Sequence, residues 1–237
     1  MKKALPFLAL LCMALMLLCS MPHTKAEVSG EGLIPADPLE GIWKPAEQTQ
    51  ASFPFRLPQW KATGESANRI NEYYRLMSES RLGLLSEDVV LFVDFELTCN
   101  DGRYLSVLLR YGVMGGQGEI ERIKADTFAC DGVYAGERIS LSQLLGLEQE
   151  DESGIASQLV YELVWQIAEW NIQNQQGDYL DGLTREEMMA TFVPEHDFYL
   201  DEEGNIVFYI QSGEISAEMA GLQLYPFAPA ELFASLI

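Results

Sequence analysis

An α+β fold is what this sequence predicts: an antiparallel β-meander packed with two main helices and a C-terminal β-hairpin. Three observations lead there. Residues 64–81 and 154–173 repeat apolar side chains at spacings of three and four, the period of a half-buried helix. Residues 89–139 instead alternate, and short glycine-bearing turns interrupt them. Such turns can only join antiparallel neighbours, because parallel strands need a long crossover.

The elements follow in order. Residues 27–52 are polar and dotted with Pro35, Pro38 and Pro45, which reads as a linker or extended arm. Phe53 to Trp60, with Pro54 and Pro58, leads extended into the fold. Ala67, Ile70, Tyr74 and Met77 line one face of the first helix, which Gly83 ends. Val93, Phe95 and Leu97 alternate with Asp94, Glu96 and Thr98 on a strand closed by the turn Asn100-Asp101-Gly102. Tyr104 to Val113 returns, Gly115 to Gly118 turns, and Ile120 to Phe128 returns again. Residues 133–139 continue as a fourth strand. Ser142 precedes a short leucine-rich turn, and the acidic loop Gln149 to Ser153 precedes the long helix. On that helix Ile155, Leu159, Leu163, Ile167 and Trp170 form one stripe, expected to face the core. Thr184 and Glu187 have capping-box spacing and start a short helix ending near Phe192. Asp197 to Leu200 and Ile206 to Ile210 flank an acidic hairpin turn, residues 201–205. A helical turn near Ser216 to Ala220 and a last strand, Gly221 to Phe227, complete the chain.

The N-terminus has the three parts of a secretory signal. Lys2 and Lys3 precede the apolar run Leu5 to Leu18, and Thr24-Lys25-Ala26 offers small residues at the cut. Residues 1–26 are therefore expected to be removed, and the protein to be exported to the periplasm, cell envelope or exterior. No later segment reaches the ~20 apolar residues of a membrane span, so no transmembrane partner is implied. Removal leaves 237 − 26 = 211 residues and a charge of 12 − 36 = −24. A field of that sign repels nucleic acid and attracts basic proteins. Cys12 and Cys19 leave with the signal. Cys99 and Cys130, each ending a strand before a turn, are expected to pair as a disulfide in an oxidising compartment.

The residues that chemistry needs are sparse. His196 is the single histidine after the signal, so any Ser-His-Asp or Cys-His arrangement would have to use it. Its neighbours Glu195 and Asp197 would point away from it on extended chain, and His196→Ala is expected to leave activity intact. No P-loop, dinucleotide fingerprint or two-histidine metal motif is present. The acidic tip 201–205 lacks the spacing of a calcium loop and reads as a solvated hairpin. Trp165, Trp170, Phe198, Tyr199, Phe208 and Tyr209 are expected in the core. No catalytic residue, cofactor or metal ligand is therefore expected.

The order of several motifs resembles a known family. "SVLLRYGVMGG" (106–116), "RISLSQLL" (138–145) and "DFYLDEEGNIVFYI" (197–210) are similar to segments of the RsiV-like extracellular domain, domain of unknown function 3298. Glu214-Ile215, Ala220-Gly221, Tyr225-Pro226-Phe227 and Glu231-Leu232 resemble its C-terminal signature and closing strand. The likeness spans residues 53–237. It implies protein recognition, since the RsiV domain binds lysozyme and senses cell-wall attack. It also implies that the segment Gln211 to Gly221 contacts the ligand, with Ser212, Gly213, Glu214 and Glu218 as binding residues. Members commonly have proline and tyrosine there, so shape and charge would replace aromatic anchors in this chain. The expectation is an exported, non-catalytic protein that binds lysozyme or another basic protein at the cell envelope. Its competitors are a wall-directed hydrolase using a carboxylate pair and a structural envelope protein without a small-molecule site.

Overall fold

A computed structural model describes residues 39–40, 56–61, 64–80, 90–115, 118–147 and 154–236. The expected signal peptide, most of the 27–52 arm and the acidic loop before the long helix lie outside the described residues. Within the arm, β1 (Leu39–Glu40) pairs antiparallel with β2 (Arg56–Leu57). Helix α1 (Glu65–Ser80) follows, then the meander β3 (Val90–Asn100), β4 (Tyr104–Gly115) and β5 (Gly118–Ala129). Helices α2 (Leu141–Leu144), α3 (Ile155–Gln173) and α4 (Arg185–Thr191) come next. A second sheet, β6 (Phe198–Leu200), β7 (Ile206–Ile210) and β8 (Gln223–Phe227), is followed by α5 (Pro229–Leu236). The architecture is α+β with antiparallel sheets, as the sequence predicts.

Helix α1 covers one face of the first sheet. Ala67, Ile70, Tyr74 and Met77 are all buried, and the last three pack on Val93, Leu105, Val107, Leu109 and Phe128. The opposite face meets the second sheet, where Leu108, Ile123 and Ala125 touch Tyr209 and Tyr199. Every residue of β7 is buried, because α3 covers the far side of that sheet through Ala156, Val160 and Val164. Two capping boxes seat the short helices, Thr184 with Glu187 as expected and Ser140 with Gln143 on α2.

Three expectations are corrected. Residues 133–139 do not form a fourth strand; they touch β5 through two isolated bridges, Ala129 with Ala135 and Phe128 with Arg138. The strand expected at Gly221 to Phe227 is β8 but does not complete the order: α5 follows it, and its signals are Pro229 at its first position and Glu231, which accepts the Ala228 N–H at 3.2 Å. The third concerns α3. Its buried positions are Ala156, Val160, Val164 and Ala168, while Trp170 is 54% exposed and Ile167 38%. The sheet supplies the volume instead. Phe208 lies 6.0, 6.2 and 5.9 Å from Phe192, Phe198 and Phe227, and small helix residues let this aromatic layer close to interior density.

The outer edge of β5 is protected by side chains and by the loop that follows. The Gln211 amide donates to the Ile123 carbonyl at 2.7 Å and accepts the Ile123 N–H at 3.1 Å, imitating a paired strand. Ala125 N–H donates to the Tyr209 hydroxyl at 3.1 Å. Ile139 and Gly136 N–H groups then satisfy the Thr127 and Ala129 carbonyls. Glu195 joins other elements. Its carboxylate accepts from Ser142 N–H, Ser142 Oγ and Ser157 Oγ, tying α2 and α3 to the approach to β6. Glu195→Ala is expected to cost about 2–3 kcal/mol, read as a lower denaturation midpoint at unchanged slope. A change under about 0.5 kcal/mol would mean that the two helices are held by packing alone.

Candidate functional site

The segment singled out by the sequence follows β7. Gln211 holds its start to β5, and Ile215 and Ser216, both fully buried, hold its middle. Leu180 N–H donates to the Ile215 carbonyl, and Ala217 N–H to that of Asp178. Between these fixed points the chain bulges outward. Gly213 has φ +83°, and a Cβ there would lie 2.9 Å from Glu218 Cγ. Ser212 Oγ donates to the Glu218 carbonyl at 2.6 Å, which closes the bulge on itself. Gly213→Ala is expected to cost about 1–2 kcal/mol through the left-handed backbone, seen as a lower melting temperature. An unchanged one would show that the bulge relaxes freely.

The four expected binding residues separate into two roles. Ser212 and Glu218 line a cleft of about 310 Å³. Ile123 and Leu222 form its apolar part, and Arg110, Glu121 and Gly221 complete it. Arg110 is shared between Glu96 at 3.1 Å and Glu121 at 3.5 Å. Two carboxylates therefore share one guanidinium, and Glu218 adds a further acid to the lining. Glu214 has a different place. It is half-buried and lies 3.8 Å from Arg122, whose Nη1 also donates to the Ser212 carbonyl at 3.1 Å. Burial raises the Glu214 pKa, and Arg122 opposes that shift. Glu214 and Gly213 shape the segment; Ser212 and Glu218 face the cleft.

Another cleft, about 440 Å³, opens where the β3–β4 turn, the end of α2, the β6–β7 turn and α5 converge. Leu144, Leu200, Ile206 and Phe233 make it largely apolar, with Arg103 and Tyr104 on one wall. The Arg103 guanidinium lies 5.2 Å from the Tyr104 ring centre. Asp101 is turned into its own loop, where Oδ1 accepts the N–H groups of Arg103 and Tyr104.

A buried ionic group was not anticipated. Asp126 is fully buried on β5, beneath α1. Its Oδ1 accepts from Lys124 Nζ at 2.8 Å, Arg138 Nε at 3.0 Å and the Tyr73 hydroxyl at 2.9 Å. Lys124 also donates to the Tyr73 oxygen at 2.8 Å. Burial lowers the Lys124 pKa against the opposing pull of Asp126. In sequence, Lys124 and Asp126 look like the wet face of a strand. Only Arg138 and the tyrosines of α1, distant in sequence, mark them as interior.

His196 is exposed in the turn before β6. Asp197 accepts the Val193 N–H at 2.7 Å, with its pKa raised by burial. Among the described residues, no three His, Cys, Asp or Glu side chains are grouped as a metal site.

The expected disulfide is absent: Cys99 and Cys130 are free thiols. A β-bulge between Leu97 and Cys99 is the cause. Regular alternation would put Cys99 on the face of Leu97, the face against which Cys130 packs. The extra residue turns it over, so Cys99 joins Leu141 and Leu145 while Cys130 stays with the cluster under α1. Burial also pushes the thiols up to about 11 and about 12, leaving little thiolate to react. Both thiols are expected to titrate in denatured, unreduced protein; a titre of zero would show a bond that this arrangement does not contain.

No protein-family model matches the chain, and no curated protein matches it. Among solved structures it is similar to a crystal structure of a DUF3298-family member from Bacteroides fragilis, at 13% identity and a TM-score of 0.39. That match covers 71% of this chain and 62% of the other, so this chain spans less than two thirds of that protein.

Proposed function

We propose that this chain is an exported, non-catalytic binding protein that recognises a basic protein, lysozyme or one of similar charge, at the cell envelope. The observation that carries the reading is the cleft between Ser212 and Glu218 on one side and Glu121 and Ile123 on the other. Its outward bulge is backed by buried Ile215 and pinned to β5, so it is held in shape before a ligand arrives. Its charge is acidic on balance, as is the chain at −21. Such a field speeds encounter with a cation-rich surface and weakens with salt. A basic side chain of the ligand would lie between Glu121 and Glu218, over Ile123 and Leu222.

The test is calorimetric titration of the exported protein with a C-type lysozyme, at low ionic strength and again with added salt. Glu218→Lys combined with Glu121→Lys is expected to weaken binding at least about ten-fold at low salt. These positions are chosen over Glu214, because a lysine at 214 would face Arg122 and disturb the segment itself. Equal affinity of the reversed variant would remove this cleft from the contact. Turnover of cell-wall fragments by the purified protein would remove the non-catalytic reading.

A further inference from the structure

Helix α3 carries an apolar stripe that the described residues cover only at its N-terminal end, and we propose that it docks a basic amphipathic helix of a partner protein. The inference rests on the reading of this chain as a binding protein but uses a different surface. Leu159, Leu163, Ile167 and Trp170, spaced four, four and three, share one flank of the helix. They extend over ~17 Å at 1.5 Å per residue. Leu159 and Leu163 are half-buried, and Ile167 and Trp170 are open to solvent. Leu163 packs against the core from its side, but the core closes without Ile167 and Trp170, since Ala156, Val160, Val164 and Ala168 fill the inward face. A tryptophan and an isoleucine left outside a finished core, in line with two leucines, make the kind of patch that marks a contact surface.

Charge selects the occupant. Between Arg138 and Arg185 the sequence has no lysine or arginine at all. Glu148, Glu150, Asp151 and Glu152 precede the helix, and Glu162 and Glu169 lie on it. Arg185 pairs with Glu162, and nothing basic stands beside Glu169 among the described ion pairs. A second copy would bring the same acidic segment against itself, and an anionic lipid surface would be repelled in the same way. A helix with leucine-like residues at spacings of three and four, flanked by lysines or arginines, satisfies both the stripe and its surroundings.

The probe is a Leu/Lys peptide with its leucines on one helical face, titrated into the exported protein beside its Leu/Glu counterpart. The expected result is saturable one-to-one binding of the Leu/Lys peptide only. Acrylamide quenching of the emission that Trp170→Phe removes should fall on binding. Ile167→Gln with Trp170→Gln changes no charge and lies outside the core, so circular dichroism should be unchanged while affinity drops at least about ten-fold. Three results would overturn the proposal. The double variant binds the peptide as tightly as the original. Trp170 is already inaccessible to acrylamide in the free protein, so that the chain covers its own stripe. Or the protein sediments as a dimer that the double variant dissociates. If these α3 substitutions have no effect while Glu121→Lys with Glu218→Lys still weakens lysozyme binding, this inference falls and the proposed function stands.

Discussion

Asp126→Ala is expected to destabilise the protein by about 3–5 kcal/mol, because it strips a buried ion pair of one partner and leaves the others uncompensated. Lys124 and Arg138 both direct their charge at this one fully buried carboxylate, and the Tyr73 hydroxyl completes its shell. Asp126→Asn keeps an acceptor for the tyrosine and loses the charge, so it should fall between the original and alanine. A double-mutant cycle with Lys124→Ala should show a coupling of about 1 kcal/mol or more. Equilibrium denaturation reads all of these. An alanine variant within about 1 kcal/mol of the original would mean that water replaces the lost carboxylate and that the cluster is wetter than its geometry implies.

Alkaline pH should unfold the protein through its tyrosines. Tyr73, Tyr74, Tyr209 and Tyr225 all have raised pKa values, with burial as the largest cause. Asp126 adds to the shift at Tyr73 and Tyr74, Asp197 at Tyr209, and the hydrogen bond to Tyr179 at Tyr225. The native state therefore keeps these protons when the unfolded chain, with tyrosine near ~10, gives them up. Stability is full below the unfolded value and is lost as pH rises above it. At one unit above, each group costs roughly 1.4 kcal/mol, and the four together roughly 6 kcal/mol. That approaches the whole stability of an ordinary domain. Phenolate absorbance should rise in two phases, with the second coincident with loss of circular dichroism. A single smooth titration in a protein that stays folded would show that these hydroxyls reach solvent.

Where the structure agrees with the sequence, the deciding physics is local. Ala67, Ile70, Tyr74 and Met77 face inward because the helical period puts them together, whatever they pack against. Asn100-Asp101-Gly102 turns because Gly102 adopts φ +86° and Asp101 caps the N–H groups that follow. Thr184 and Glu187 satisfy each other across three residues. Of the segment expected to bind, its place in the connection after β7 was legible. The separation of Glu214 from Glu218 was not, because Arg122, which holds Glu214, comes from a strand far away in sequence.

The sequence by itself therefore determined the α+β class, the antiparallel order of the meander, the periods of its helices and the acidic charge of the chain. Each of these follows from backbone geometry or composition within a short window. The tertiary structure decided which side of α3 faces inward, which face Cys99 occupies, and that Lys124 and Asp126 are interior. In each case the sequence pattern permits more than one arrangement. The choice depends on volumes and charges supplied from elsewhere: phenylalanines of the second sheet that leave room only for alanine and valine on α3, one extra residue in β3, and Arg138 beside Asp126. A period states that side chains share a face, and only the partner surface determines which face is buried.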